Sequence, residues 1–185
     1  FAGLNENNPY RIKVRGLCDN GDNGFCDSVD FETICLAGGD VEITNGTFTT
    51  SNYPTFINRA YSYTQQIYDA SEMNGPATIN SISVEVATAN MVAQARTLNI
   101  YMGHTGRSTF ESTSDNVSMD SLRLVYTGQF TFVPGWNTIN FDSAFIYNAT
   151  DNLVLAVDDN TGSFGQSCTF RAQNNATSKS IYYAS

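Results

Sequence analysis

An antiparallel all-β sandwich of jelly-roll type is the fold this sequence predicts, and three observations predict it. Short stretches that alternate apolar and polar residues recur along the chain. Turn signals separate them, and helical periodicity is almost absent. Many short strands at such spacing, with no helices between them, belong to sandwiches rather than to parallel sheets.

The elements follow in order. Tyr10–Thr33 (YRIKVRGLCDNGDNGFCDSVDFET) alternates like a hairpin, with Tyr10, Ile12 and Val14 facing one way on the first strand and Val29 and Phe31 on the second. The main domain follows. Thr44–Thr50 is a short, Thr-rich strand. Ala60–Tyr68 alternates aromatic and polar residues. Thr78–Val86 alternates through Ile79, Ile82, Val84 and Val86, with a slip at Ser81 that marks a bulge. Ala87–Thr97 has helix formers without a consistent apolar face and reads as a loop or one short turn. Arg96–Gly103 presents Leu98, Ile100 and Met102 on one face. Leu122–Phe132, Trp136–Phe141, Leu153–Val157, Thr169–Ala172 and Ser180–Tyr183 complete the set. Asn74-Gly75-Pro76, Val133-Pro134-Gly135 and Asp159-Asn160-Thr161-Gly162 supply turns.

The chain of 185 residues has room for one sizeable core, or one domain plus part of another. The expected division is 1–34 for the hairpin and 36–185 for the sandwich. Its net charge of −9 offers no basic patch to displace counterions from phosphate, so a nucleic-acid partner is not expected. No apolar run approaches the roughly 18 residues of a membrane-spanning helix. No signal peptide is recognisable, and the sequence reads as mature or as part of something longer.

The cysteines are Cys18, Cys26, Cys35 and Cys168. Their spacing matches no zinc knuckle, and the single histidine, His104, completes no zinc set. The hairpin places Cys18 and Cys26 on either side of a turn, which favours the pairs Cys18–Cys26 and Cys35–Cys168 over four free thiols. An even count in an acidic, Asn/Thr-rich chain points to an oxidising, extracytoplasmic setting.

Catalysis has little to build on. His104 lies where a strand gives way to a Gly-containing turn, and Ser108 and Asp115 near it belong to no nucleophile-elbow or triad motif. The best metal candidate is Val157–Ser163 (VDDNTGS), where Asp158 and Asp159, joined by Asp40 from the domain entry, supply the oxygens that Ca2+ prefers. The alternative is an Asx-type turn in which Asp and Asn bond their own backbone. For sugar binding the useful parts are flat aromatic rings beside amides and carboxylates. Tyr53, Tyr61, Tyr63, Tyr68, Tyr101, Tyr147, Tyr182 and Tyr183 are available, most of them expected as cross-strand pairs. Tyr53 and the Tyr182-Tyr183 pair are the rings expected to be exposed. Trp136 reads as a cap on the end of the core in preference to a ligand platform, because Trp is usually largely buried. The candidate ligand-binding set is Tyr53, Tyr182 and Tyr183, with Trp136 kept in it on the platform reading. Asn45, Asn116, Asn148 and Asn175 lie in N-glycosylation sequons, and Asp27, Asp120 and Asp142 in Asp-Ser-aliphatic triplets; both patterns arise easily in such a composition.

Two resemblances add to this reading. LNENNPYRIKVRGL, with Leu4 six residues before Tyr10, resembles the tyrosine corner and F strand of a fibronectin type III domain, and SVDFET resembles its G strand. The likeness covers residues 1 to about 33 and implies the final hairpin of such a domain. Either the rest of that domain lies outside this chain, or another chain completes it by strand exchange. YSYTQQIYDASEMNGPATINSISVEVA, RTLNIYMGHTGRSTF and LVYTGQFTFVPGWNTINFDSAFIYNATDNLVLAVDDNTGSF resemble β-sandwich modules of large Bacteroidota surface proteins exported by the type IX pathway. That resemblance implies a non-catalytic role in adhesion or carbohydrate binding at the cell surface or in a secreted protein. The expected partners are a glycan or an extracellular host protein and neighbouring domains of the same polypeptide. The alternatives are an assembly module of a surface filament and an accessory domain of a secreted hydrolase or proteinase.

Overall fold

The computed structural model describes residues 9–15, 25–32, 39–44 and 46–185, the first two segments through their backbone. The chain divides into two compact units, Phe1–Ala37 and Gly38–Ser185. In the first, β1 (Pro9–Arg15) and β2 (Phe25–Glu32) pair antiparallel, with Tyr10 opposite Phe31 and Ile12 opposite Val29. Leu4, Thr33, Cys18, Cys35 and the side chain of Cys26 lie outside the described residues, and with them the tyrosine corner and the Cys18–Cys26 pair.

Among its described residues the second unit holds nine strands: β3 (Thr49–Ser51), β4 (Ser62–Tyr68), β5 (Ala77–Val86), β6 (Gln94–Thr105), β7 (Arg123–Phe132), β8 (Gly135–Tyr147), β9 (Asn152–Asp159), β10 (Phe170–Ala172) and β11 (Ser180–Ala184). They form a four-stranded sheet in the order β3-β10-β5-β8 and a five-stranded sheet in the order β11-β4-β9-β6-β7. The pairings nest: β6 with β7, β5 with β8, β4 with β9 and β3 with β10, all antiparallel and alternating between the two sheets. This is one long hairpin rolled into a sandwich, the jelly-roll arrangement, with β11 added beside β4.

Period-two alternation sends one face of each strand inward. Leu98, Ile100 and Met102 of β6 and Leu153, Leu155 and Val157 of β9 meet Val86, Ile139, Phe145 and Phe170 of the other sheet. Phe132 and Phe170 meet edge to face across the layers at 5.4 Å. The register slip between Ile79 and Ser81 puts the expected bulge in β5. Three boundaries differ from the sequence reading. Gln94 onward is strand rather than loop, β8 runs on to Tyr147, and the first strand is confined to Thr49–Ser51.

A second cluster lies on the outer side of the five-stranded sheet. Ile67, Val154 and Ile181 are covered there by Phe110, Val117 and Leu122 of the β6–β7 connection. Fully buried Gln65 clamps this connection: its Oε1 accepts the Val117 N–H (2.7 Å) and its Nε2 donates to the Val117 carbonyl (2.8 Å). Gly103 lets the connection approach, because a Cβ there would stand 2.8 Å from the Ser121 carbonyl oxygen.

Cys168 is the one cysteine whose side chain is described. It is a free thiol packed in the main core, and the other half of the expected Cys35–Cys168 pair lies outside the described residues. The residue just before β10 sinks between the sheets with Phe170, where its burial pushes the thiol pKa up to about 11.

Candidate functional site

The sequence-derived candidates separate by face. Asp158 and Asp159 are successive residues at the end of β9 and point to opposite sides of the sheet. Asp159 is fully buried on the inner side and forms an ion pair with buried Arg96, whose Nε donates to Oδ2 at 2.7 Å. Thr55 Oγ1 donates to the same oxygen (2.9 Å), and the N–H and Oγ1 of Thr161 donate to Oδ1 (3.1 and 2.5 Å). The remaining Arg96 nitrogens donate to the carbonyls of Ser163 (2.9 Å) and Arg59 (2.6 Å). An internal guanidinium thus supplies the positive charge that a calcium ion would bring, and the turn bonds of Thr161 complete the set. Asp40 is exposed in the segment before β3. Among the described residues no group of three or more His, Cys, Asp or Glu side chains is placed to hold a metal ion.

Tyr53 is half-buried rather than exposed. It meets Phe56 edge-on at 5.9 Å and Tyr182 at 6.1 Å, while Phe56 stacks on Tyr182 at 4.5 Å. Desolvation in this cluster, reinforced by Tyr182, pushes the Tyr53 phenol up to about 12. Its work is packing between the β3–β4 connection and the edge strand β11. Trp136 departs furthest from expectation: it is 61% exposed on the outer face of the four-stranded sheet, opposite Glu85. The core position next to it is taken by Asn137, whose amide accepts the Val133 N–H and donates to the carbonyls of Val133 and Gly135. That pinned turn sends Trp136 outward. On the same face Arg171 pairs with Glu85 (2.9 Å) and lies 3.6 Å from the Phe48 ring centroid.

His104 is held in packing contacts. Its ring lies against Phe145 (5.0 Å) and Tyr147 (5.8 Å), and Nε2 accepts the Asn148 N–H at 3.1 Å. Asp115 accepts from Arg107 Nη1 (2.7 Å) and the Glu111 N–H (2.9 Å). The Glu111 bond, followed by the Arg107 charge, holds its carboxyl below the usual range. This geometry uses both groups structurally.

The arrangement with chemical potential lies on the outer face of the five-stranded sheet. Tyr183 on β11 stands opposite Tyr63 on β4, Tyr63 opposite Asp158 on β9, Asp158 opposite Asn99 on β6, and Asn99 opposite Thr127 on β7. Side chains at directly opposed positions share a face, so these five make one row across all five strands. Tyr101, two residues after Asn99, lies on the same face beside it.

The row is fixed from its own face. The Tyr63 hydroxyl accepts from Gln65 Nε2 (2.7 Å) and donates to Met119 Sδ (2.9 Å), so the residue that clamps the β6–β7 connection also sets this ring. Asn160 Nδ2 donates to Asp158 Oδ2 (2.6 Å), and Thr127 Oγ1 donates to Asn99 Oδ1 (2.7 Å). Desolvation is the main cause that raises the phenol pKa values of Tyr63 and Tyr101, and the Asp158 carboxylate adds to both. The two rings and the carboxylate therefore share one electrostatic neighbourhood. Of the four candidate ligand residues, only Tyr183 belongs to this row. Asp158 joins it as a hydrogen-bond acceptor rather than as half of an acidic pair.

No protein-family model matches this chain, and a comparison with curated proteins finds no significant relative.

Proposed function

We propose that the jelly roll of residues 38–185 is a non-catalytic carbohydrate-binding or adhesion module of an extracellular bacterial surface protein. The row Tyr183–Tyr63–Asp158–Asn99–Thr127, with Tyr101 beside it, is the observation that carries this reading. Sugar rings present an apolar C–H face and a rim of hydroxyls. Tyrosines offer flat, rigid apolar area at low entropic cost together with a polar tip. A carboxylate accepts hydroxyl protons, and an amide both donates and accepts. The row places these groups side by side on a rigid sheet, so little ordering cost remains to be met on binding. The extracellular setting and the surface-protein context rest on the sequence resemblance alone.

The test is a glycan array probed with the full chain, with matrix proteins printed beside the sugars, followed by titration calorimetry on any hit. Tyr183→Ala, which trims an exposed ring on the edge strand, and Asp158→Ala are each expected to weaken binding tenfold or more. An array silent for both sugars and matrix proteins, or binding unchanged by both substitutions, would refute the assignment.

The β1–β2 hairpin favours a second reading, an assembly module. A two-stranded sheet is marginal in water and needs a partner layer. If a second copy supplies that layer, sedimentation velocity of the full chain shows concentration-dependent self-association. Substitution of Ile12 or Val29 by Lys then abolishes it. A monomer at all concentrations counts against this reading.

A further inference from the structure

We infer that the outer tyrosine face takes an uncharged, extended glycan laid across the strands, and that it rejects acidic polysaccharide. The inference rests on the glycan-binding reading above and adds the class and the direction of the ligand.

The direction comes from the sheet. Neighbouring strands lie about 4.8 Å apart, so the row from Tyr183 on β11 to Thr127 on β7 crosses four such spacings and is about 19 Å long. Its recognition groups run perpendicular to the strands, with Tyr63 and Tyr183 at one end, Asp158 in the middle, and Asn99 and Thr127 at the other. A single sugar ring covers only part of that length. A chain of rings lying along the row meets two tyrosines first and the carboxylate and amide next.

The charge comes from the same positions. Asp158 is the one ionised side chain in the row, and the parallel row Ile181–Gln65–Ala156–Tyr101–Leu124 carries none. The borders are acidic as well: Asp142 accepts the Thr127 N–H (2.9 Å) at one end, and Asp120 follows Met119. Four basic side chains of the jelly roll are engaged elsewhere, Arg96 with Asp159, Arg107 with Asp115, Arg171 with Glu85, and Lys179 with Asp69 and Glu72, while the exposed Arg59 and Arg123 stand at neither row position. A glycan carboxylate or sulfate on this face would meet a like charge with no cation at either row position to offset it. The chain's net charge of −9 repels such a polymer at longer range too.

The donor and acceptor pattern agrees. A carboxylate only accepts, so Asp158 calls for hydroxyl donors from the ligand. Asn99 Oδ1 accepts from Thr127 Oγ1, which leaves the amide NH2 as a donor for a ligand. Neighbouring hydroxyls of a neutral sugar satisfy both requirements, because each hydroxyl donates and accepts.

The experiment is affinity electrophoresis of the full chain through gels containing neutral polysaccharides (mixed-linkage β-glucan, mannan, galactan) or acidic ones (alginate, hyaluronan, polygalacturonate). Each gel is run with wild type, Tyr183→Ala and Asp158→Ala. The expected result is retardation in at least one neutral gel, unaffected by salt and lost in both variants, with free passage through every acidic gel. Oligosaccharides are expected to compete at least tenfold better than their monosaccharides. Retardation in an acidic gel that Tyr183→Ala abolishes overturns the inference and leaves the glycan-binding reading standing. Equal competition by monosaccharide overturns the extended site alone. Free passage through every gel overturns the inference, and a silent array beside it overturns the underlying reading as well.

Discussion

Asp159→Asn is the most exacting test of how this sandwich is held together. The substitution keeps the shape of the side chain and removes its charge. Arg96, 1% exposed, then keeps a buried guanidinium with two carbonyl partners and no counter-charge. The amide NH2 must also face either Thr55 and Arg96 or the two Thr161 donors, since all four groups around Asp159 donate. Removing one partner of a buried ion pair costs about 3–5 kcal/mol. That is a fifth or more of the roughly 5–15 kcal/mol that keeps most domains folded. At about 2–4 °C per kcal/mol for a chain of this size, Tm should fall by roughly 6–20 °C. Urea unfolding followed by far-UV circular dichroism, with wild type alongside, measures the loss directly. Replacing both partners, Arg96→Met with Asp159→Leu, should recover more than half of it, because apolar groups of similar volume remove the stranded charge. A loss below about 1 kcal/mol for Asp159→Asn would refute the reasoning, since burial would then carry no charge penalty at this site.

Three further outcomes follow from the same geometry. Gly103→Ala should cost about 1–3 kcal/mol in urea melts, because the new Cβ meets the Ser121 carbonyl at 2.8 Å and pries at the β6–β7 connection. Cys168 should resist iodoacetamide at mildly alkaline pH in the folded protein and react once urea is added, as peptide mass spectrometry can read. Its folded pKa near 11 lies above the unfolded value, so the stability it contributes is present below the unfolded pKa and declines as pH rises toward 11. Glycan affinity should stay flat between about pH 6 and pH 9, since the raised phenol pKa values keep Tyr63 and Tyr101 protonated throughout; a fall across that window in calorimetry would remove those rings from the contact.

The strand set and the bulge at Ser81 were legible because a half-buried strand writes its inner face into every second residue. Arg96 was legible in the same way and overlooked. It shares the alternation of Leu98, Ile100 and Met102, and a charge at an inward position needs a partner. Trp136 went astray for the opposite reason. Its alternation with Thr138 and Asn140 places it on the polar side, and that pattern prevails over the usual burial of tryptophan. The tyrosine row was not legible at all. Tyr183, Tyr63, Asp158 and Asn99 sit on four strands scattered over most of the domain, and only the cross-strand register aligns them. The jelly-roll register is fixed by packing of the two layers, which no local pattern records.

The nesting of the strand pairs also sets an order of events. β6 and β7 are close in sequence and can meet early, whereas β3 has to wait for β10, near the far end of the chain. The four-stranded layer therefore cannot be completed until β10 is in place between β3 and β5. Truncation before Phe170 would leave β3 with no neighbour and the inner faces of Val86 and Phe132 open to water. The tyrosine row inherits that dependence, since Tyr183 lies on β11, the last strand of the roll. The surface proposed to recognise sugar is completed only when the whole roll is.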